Sequence, residues 1–374
     1  MSISHFSIPR PSDRLDDIPG YGRGRAGQTV SFRHRLGSNE APDAPSPSVQ
    51  AAVAAAFAGV NRYPDLRGET LSEALVRRHG LSPDAVAVGA GSIVILDQLI
   101  RAWCDPGDEV VTPWRSYEAY PILAALAGAR MVEVPLDGSA RLDPAKLLAA
   151  VGPRCRVVLI CNPNNPTGTA LSEDAIDALL ASLPQDVLVI LDEAYADYAG
   201  DAADVAARLA RRLSRHANLA VLRTFSKAWG LAGMRVGYCL ADPRIIAAVH
   251  AVQPPFPLPT PALAAALASL AEPEAVAARV ATNATERARL SDGLVKTGLP
   301  VADSAANFIW LPVGDDAERL TAHLAAAGIA VRCFAGEGVR ITTGTAVDTD
   351  AVLGAAAGWD ARNLRAGSGQ NKGS

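Results

Sequence analysis

Lys227 lies in the segment Thr224-Phe225-Ser226-Lys227-Ala228-Trp229-Gly230-Leu231-Ala232-Gly233-Met234-Arg235, and it is one of only four lysines among the 35 basic residues of this 374-residue chain. A lysine in a glycine-rich loop can be stripped of water, which favours its neutral amine. Such an amine can form a Schiff base with an aldehyde cofactor or a carbonyl substrate, whereas an exposed loop lysine does no chemistry. Asp192 closes the apolar run Val187 to Leu191, and Tyr195 follows three residues later. A carboxylate at a buried strand end can hold a cationic ring nitrogen, and a nearby phenol can donate to an anionic oxygen, so the pair suits a pyridinium ring. Read alone, an aspartate at such a position is more often a helix cap. Asn162-Pro163-Asn164-Asn165-Pro166-Thr167-Gly168 also follows an apolar run. Its two X-Pro steps favour an extended, turn-rich backbone that can aim an amide at a ligand, or simply make a turn. Gly89-Ala90-Gly91-Ser92 leads into the helical pattern Ile93 to Ala102. There, amides at a helix N-terminus and a serine hydroxyl can cradle a phosphate, although the third glycine of a dinucleotide fingerprint and a GK[ST] are both missing.

Strands joined by crossover helices would bring these segments together. From about 46 to 250, Ala- and Leu-rich helical stretches alternate with short β-branched runs, which predicts an α/β fold. The expected strands are Ala85 to Val88, Glu109 to Thr112, Ala129 to Val134, Val157 to Cys161, Val187 to Asp192, Leu219 to Arg223 and Val236 to Leu240. In an open, mostly parallel sheet ligands sit beyond the carboxyl ends of strands, where all four segments fall. Four prolines between Pro254 and Pro259 interrupt the pattern and set an expected domain boundary. The expected organisation is an N-terminal arm (1–45) packing with a small α+β unit (256–365), a large unit (46–255), and a disordered tail (366–374). The small unit should hold a long Ala-rich helix at about 261–298, a strand at Asn307 to Leu311, a helix at about 315–327, strands at Ile329 to Cys333 and Val339 to Thr342, and a last helix from about 348.

Composition narrows the class of function. With 49% apolar and 20% charged residues, a formal net charge of −4 and no block of like charge, the chain reads as an enzyme-sized globular protein. Neither a nucleic-acid partner nor a membrane partner is expected. Five scattered cysteines without a CxxC suit free thiols, and with no apolar leader in the first thirty residues the expected location is cytoplasmic. Six isolated histidines give no support for a metal site.

The ordered set GAGS, PWRSYEAYP, CNPNNPTG, LDEAY, TFSKAWGLAGMRVGY and VRITTGT resembles the fold-type I pyridoxal phosphate enzymes, in particular the branch of histidinol-phosphate and aromatic (phenylalanine-type) aminotransferases. The resemblance runs from Ile18 to about Gly358. It implies a large domain with a mostly parallel seven-stranded sheet, a smaller α+β domain and pyridoxal 5′-phosphate as cofactor. It makes Lys227 the Schiff-base lysine and proton shuttle, and puts Ser226, Arg235 and Thr224 on the cofactor phosphate opposite Gly91, Ser92 and the amide of Ile93. It pairs Asp192 with the pyridine nitrogen, aims Tyr195 and Asn165 at the ring hydroxyl, stacks Tyr117 on the ring, and sends Tyr63 into the site of a second subunit of a homodimer. Arg340 would take the substrate α-carboxylate. Arg332, Tyr21 and Asn39 would line the substrate end, or Arg332 and Arg340 together would hold a substrate phosphate. Where histidinol-phosphate members commonly carry an acidic pair, this chain has Ile93-Val94. The motif Trp-Arg-Ser-Tyr-Glu-Ala-Tyr-Pro is closer to the aromatic enzymes, so an aromatic 2-oxo acid is the expected acceptor, with glutamate as donor and histidinol-phosphate transamination as the alternative. A threonine-phosphate-type decarboxylase, a cofactor-binding sensor and a nicotinamide enzyme are further readings. The sensor would need a DNA-binding domain, and the arm shows no helix-turn-helix pattern.

Overall fold

The computed structural model describes residues 32–200 and 202–359, together with residues 10, 18 and 20. Tyr21 and the tail 366–374 lie outside the described residues. Among the described residues twelve strands are formed: β1 (His34–Arg35), β2 (Val86–Ala90), β3 (Glu109–Trp114), β4 (Arg130–Pro135), β5 (Cys155–Cys161), β6 (Leu188–Asp192), β7 (Leu219–Thr224), β8 (Val236–Ala241), β9 (Phe308–Leu311), β10 (Ile329–Ala330), β11 (Arg332–Phe334) and β12 (Gly338–Thr342).

A seven-stranded sheet has the order β2-β8-β7-β6-β5-β3-β4. All neighbours from β7 to β4 are parallel, and β8 runs antiparallel to both β7 and β2. The seven expected strands are all present, each within two residues at either end. Their continuous apolar runs reflect burial on both faces. In β6, Val189 and Leu191 join one apolar cluster with Leu71, Leu75, Ile176 and Leu209, while Leu188 and Ile190 join a second with Ile95, Leu99, Tyr120 and Val249. The carboxyl ends of β2, β5, β6 and β7 open on the same edge, so the four chemically promising segments converge there.

The long Ala-rich helix expected at 261–298 is two helices, Thr260–Leu270 and Pro273–Lys296. Pro273 is the reason: its ring cannot continue a helix from the preceding turn, but it suits the first turn of a new one. The first of these helices returns to the large sheet's apolar cluster through Ala262, Leu263, Ala265 and Ala266 and packs along the helix Pro47–Ala56. The second carries the chain across, with Val276 in that cluster and Leu290 and Leu294 in a third. The third cluster lies under an antiparallel sheet of order β11-β12-β9, and includes Ile309, Leu311, Val339, Ile341 and Leu36. The single strand expected at Ile329 to Cys333 is divided at Val331: β10 pairs in parallel with β1 of the N-terminal arm, and β11 pairs with β12. That division brings residues 37–39, which follow β1, to the open edge of the large sheet.

Candidate active site

One cavity at that edge is lined by Ser92, Ile93, Tyr117, Asn165, Asp192, Tyr195, Thr224, Ser226, Lys227 and Arg235 from the large sheet's side, and by Asn39, Arg332 and Arg340 from the other. Glu118 also lines it. Of the expected site residues, only Gly91 and Tyr63 within the described part are not on its wall. Gly91 sits directly behind, at the N-cap of the helix Ser92–Trp103.

Lys227 follows β7 at the floor. Its Nζ donates to the carbonyl oxygens of Ser38 at 3.3 Å and Asn39 at 3.2 Å. Burial lowers its pKa to about 7, and the nearby Arg340 guanidinium adds to the effect. An amine poised there has a large neutral, nucleophilic share near neutral pH, where an ordinary lysine has almost none. Asp192, at the end of β6, is buried; its Oδ2 accepts from the Tyr120 hydroxyl at 2.7 Å and its Oδ1 from the Ala194 amide at 3.2 Å. Burial pushes its carboxyl above the usual carboxylate range, against the pull of those two donors. A buried carboxylate in that state gains from a cation brought alongside.

At the third corner, Arg235 has a left-handed backbone (φ 54°) that turns its guanidinium towards the start of the helix Ser92–Trp103. Its Nη1 donates to Ser226 Oγ at 3.3 Å, and Thr224 Oγ1 donates to the same oxygen at 3.0 Å. Gly91 has φ +84°, and a Cβ there would stand 2.6 Å from Arg235 Nη2. At Gly237 an added Cβ would stand 2.1 Å from the Ser92 amide nitrogen. Glycine at both positions therefore keeps open a cradle of helix-terminal amides, a hydroxyl and a guanidinium, the donor set that a phosphate dianion takes. Amine, carboxylate and phosphate cradle fit the aldehyde, ring nitrogen and phosphate of pyridoxal 5′-phosphate.

Tyr195 is buried edge-on to Phe308, and its hydroxyl accepts from Asn39 Nδ2 at 3.0 Å. Asn39 has a left-handed backbone (φ 54°) held by Thr342, whose Oγ1 accepts from the Asn39 amide at 2.9 Å and donates to its Oδ1 at 3.0 Å. Asn165 presents its Oδ1 to Arg340 Nη1 at 2.5 Å, and Arg340 Nη2 donates to the Gly37 carbonyl at 2.6 Å. Both X-Pro bonds of the Asn162–Gly168 turn are cis. Tyr117 stands edge-on to Tyr120, 5.5 Å between ring centres.

Arg332 lines the cavity as expected, and there it is already paired with a carboxylate. Its Nη2 donates to both oxygens of Glu118 at 2.8 Å, and its Nε to Oε2 at 3.2 Å. Tyr63 points away from this cavity, 82% exposed and stacked on Phe256 at 4.5 Å. Sequence reasoning missed Glu118 and Tyr120, although both stand in the same segment as Tyr117, and Tyr120 follows it by the i,i+3 spacing that places two side chains on one helical face.

Among the described residues there is no cluster of His, Cys, Asp and Glu able to hold a metal ion, and no helix long and apolar enough to cross a membrane. A family model described as "Aminotransferase class I and II" matches residues 34–356. A protein of Thermobifida fusca named "Aromatic amino acid aminotransferase" is 46% identical over 363 residues, covering 96% of this chain and all of that protein. One of the same name from Streptomyces coelicolor is 41% identical over 92% of this chain and 96% of its own length. The crystal structure of a histidinol-phosphate aminotransferase from Sinorhizobium meliloti in complex with pyridoxal 5′-phosphate superimposes with a TM-score of 0.86 at 30% identity, over 96% of this chain and 99% of that one.

Proposed function

Because this chain belongs to the class I and II aminotransferases, which work with pyridoxal 5′-phosphate, we propose that it moves an amino group, from glutamate as donor, to an aromatic 2-oxo acid. The observation that carries the reading is the buried Lys227 amine, lowered to about 7, in one cavity with Asp192, the Arg235 cradle and Arg340. The relatives named for aromatic substrates support the acceptor.

The cofactor supplies an aldehyde that carries the amino group and a cationic ring that draws electrons from the substrate's α-carbon. The chain's residues do the rest. Asp192 would pair with the ring nitrogen and favour its protonated form. Ser226, Arg235, Thr224 and the amides at Ser92 and Ile93 anchor the phosphate. Tyr195 and the Asn165 amide would donate to the ring's hydroxyl oxygen, which favours its anion. Tyr117 would stack on the ring, and Arg340 would bind the substrate α-carboxylate through its planar fork. Lys227 would hold the cofactor's aldehyde carbon through its Nζ, and the same amine, placed at the floor beside the substrate's α-carbon, would carry the proton to and from that carbon.

The second subunit belongs to the same proposal. Tyr63 is exposed beside the exposed Phe57, Val60 and Leu66, and in a homodimer it would reach the partner's phosphate cradle. A monomeric mass by light scattering would remove that part.

One observation favours the histidinol-phosphate alternative: Arg332 and Arg340 stand opposite each other on β11 and β12. The test of both is to add L-phenylalanine and, separately, L-histidinol phosphate to the yellow cofactor-loaded protein. Bleaching by L-phenylalanine is expected. Bleaching by histidinol phosphate alone would replace the aromatic reading, and bleaching by neither would overturn transamination of either substrate.

A further inference from the structure

We propose that Glu118 decides which substrates the cavity accepts: by holding Arg332 it closes the side-chain end to phosphate monoesters and leaves it to flat, uncharged side chains. The inference rests on the transaminase reading above and sharpens its substrate class.

Arg332 and Arg340 are directly paired across β11 and β12, so both guanidinium groups fall on one face of that sheet, and both line the cavity. Two like charges so placed repel each other and together attract a dianion. Glu118 comes from the other side of the cavity, next to Tyr117 and just before the helix Ala119–Leu126. Its carboxylate meets Arg332 with three hydrogen bonds of 2.8 to 3.2 Å, and each side chain of the pair is 27% exposed. A carboxylate that engages Nε and Nη2 occupies the guanidinium edge that a phosphate would use. A phosphate monoester entering here must displace that carboxylate and then lie against its negative charge. An uncharged ring meets neither cost. The neighbouring guanidinium is treated alike: Arg115 Nε donates to both oxygens of Glu337 at 3.0 and 2.9 Å, and the Phe334 ring lies between Arg115 and Arg332, 5.7 and 5.9 Å from their guanidinium carbons. On this side of the mouth the cations are therefore matched by carboxylates.

The test compares kcat/KM for L-histidinol phosphate with that for L-phenylalanine, using cofactor-loaded protein and one 2-oxo acid acceptor. Glu118→Gln keeps the size of the side chain and removes its charge. The ratio of the two constants is expected to rise on the order of tenfold or more, since a repelling charge at a binding contact is removed. Glu118→Ala should move it in the same direction, and Arg332→Ala added to Glu118→Gln should bring it back. A ratio within about twofold of wild type in both Glu118 variants, with the yellow cofactor retained, would overturn the proposal. Failure of the functional reading is separately visible as wild-type protein that turns over neither amine. Calorimetric binding of 2-phenylethyl phosphate to the same cofactor-loaded proteins then decides the role of Glu118: tighter binding in Glu118→Gln supports it, and equal binding overturns it.

Discussion

The floor and the mouth of the cavity are built differently. At the floor, Asp192 closes β6, Ser226 and Lys227 follow β7 and Arg235 precedes β8, all in one hydrogen-bonded sheet, and they include groups whose protonation is moved by burial. At the mouth, Glu118, Arg332, Arg115 and Glu337 meet across the gap between two sheets as partly exposed ion pairs. Burial makes the floor's chemistry strong and its geometry costly to alter. Exposure makes the mouth's pairs weak contributors to stability, so their charges are available to select substrates.

The contrast can be broken most severely at Lys227. Lys227→Ala is expected to lower kcat/KM by roughly 10²- to 10⁴-fold, the span of a positioned acid–base group, while the fold is retained. Steady-state turnover with L-phenylalanine measures the loss, and a variant with wild-type turnover would end the floor's claim to the chemistry.

Titration of the cofactor-free protein sharpens the comparison. An ordinary lysine amine is charged up to about 10.5, whereas that of Lys227 is neutral above about 7. The rate of covalent capture of pyridoxal 5′-phosphate should therefore rise through pH 7 and level off, instead of climbing towards 10.5. In the same protein the unfolded chain binds the Lys227 proton between about 7 and 10.5 and the folded chain does not. Its contribution to stability thus increases with pH across that window and is lost as pH falls to 7. Capture that rises only above pH 9 would show the amine to be an ordinary one.

A smaller effect is expected at Tyr120, a positioning residue that acts through Asp192. Tyr120→Phe removes the 2.7 Å donor that pulls the Asp192 carboxyl down. Turnover should fall by about fivefold, for a hydrogen bond worth about 1 kcal/mol, and the acid limb of its pH profile should move up by less than about one pH unit. A lower melting temperature with an unmoved acid limb would make Tyr120 merely structural. The smallest change belongs to the mouth: Glu337→Gln should cost less than about 1 kcal/mol by denaturant titration, because the Arg115–Glu337 pair is partly exposed. A loss several times larger would mean that the mouth holds the two sheets together as firmly as a core does.

Most of the floor was legible in the chain itself. Seven apolar runs, most of them ending in polar clusters, predict a mostly parallel sheet with its chemistry at one edge, because a strand buried on both faces must be apolar and the next residue must turn. Lys227, Asp192, Ser92 and Arg235 could be placed from such local signals, and the resemblance supplied their roles. Pro273 was equally local, but the Ala-rich pattern around it concealed the break.

The mouth was not legible. Glu118 and Arg332 are 214 residues apart, Arg340 and Asn165 175, and Asn39 and Tyr195 156. No periodicity links such positions; their meeting depends on how the antiparallel sheet docks over the parallel one and on the division of the chain at Val331. Which residues stand at the strand ends is written in the linear chain, since alternation, proline and glycine act over a few residues. That Arg332 is held by a carboxylate, that Tyr63 is exposed, and that the Lys227 amine titrates near 7 follow from the folded arrangement, because partner choice and desolvation are set by everything that packs around a group.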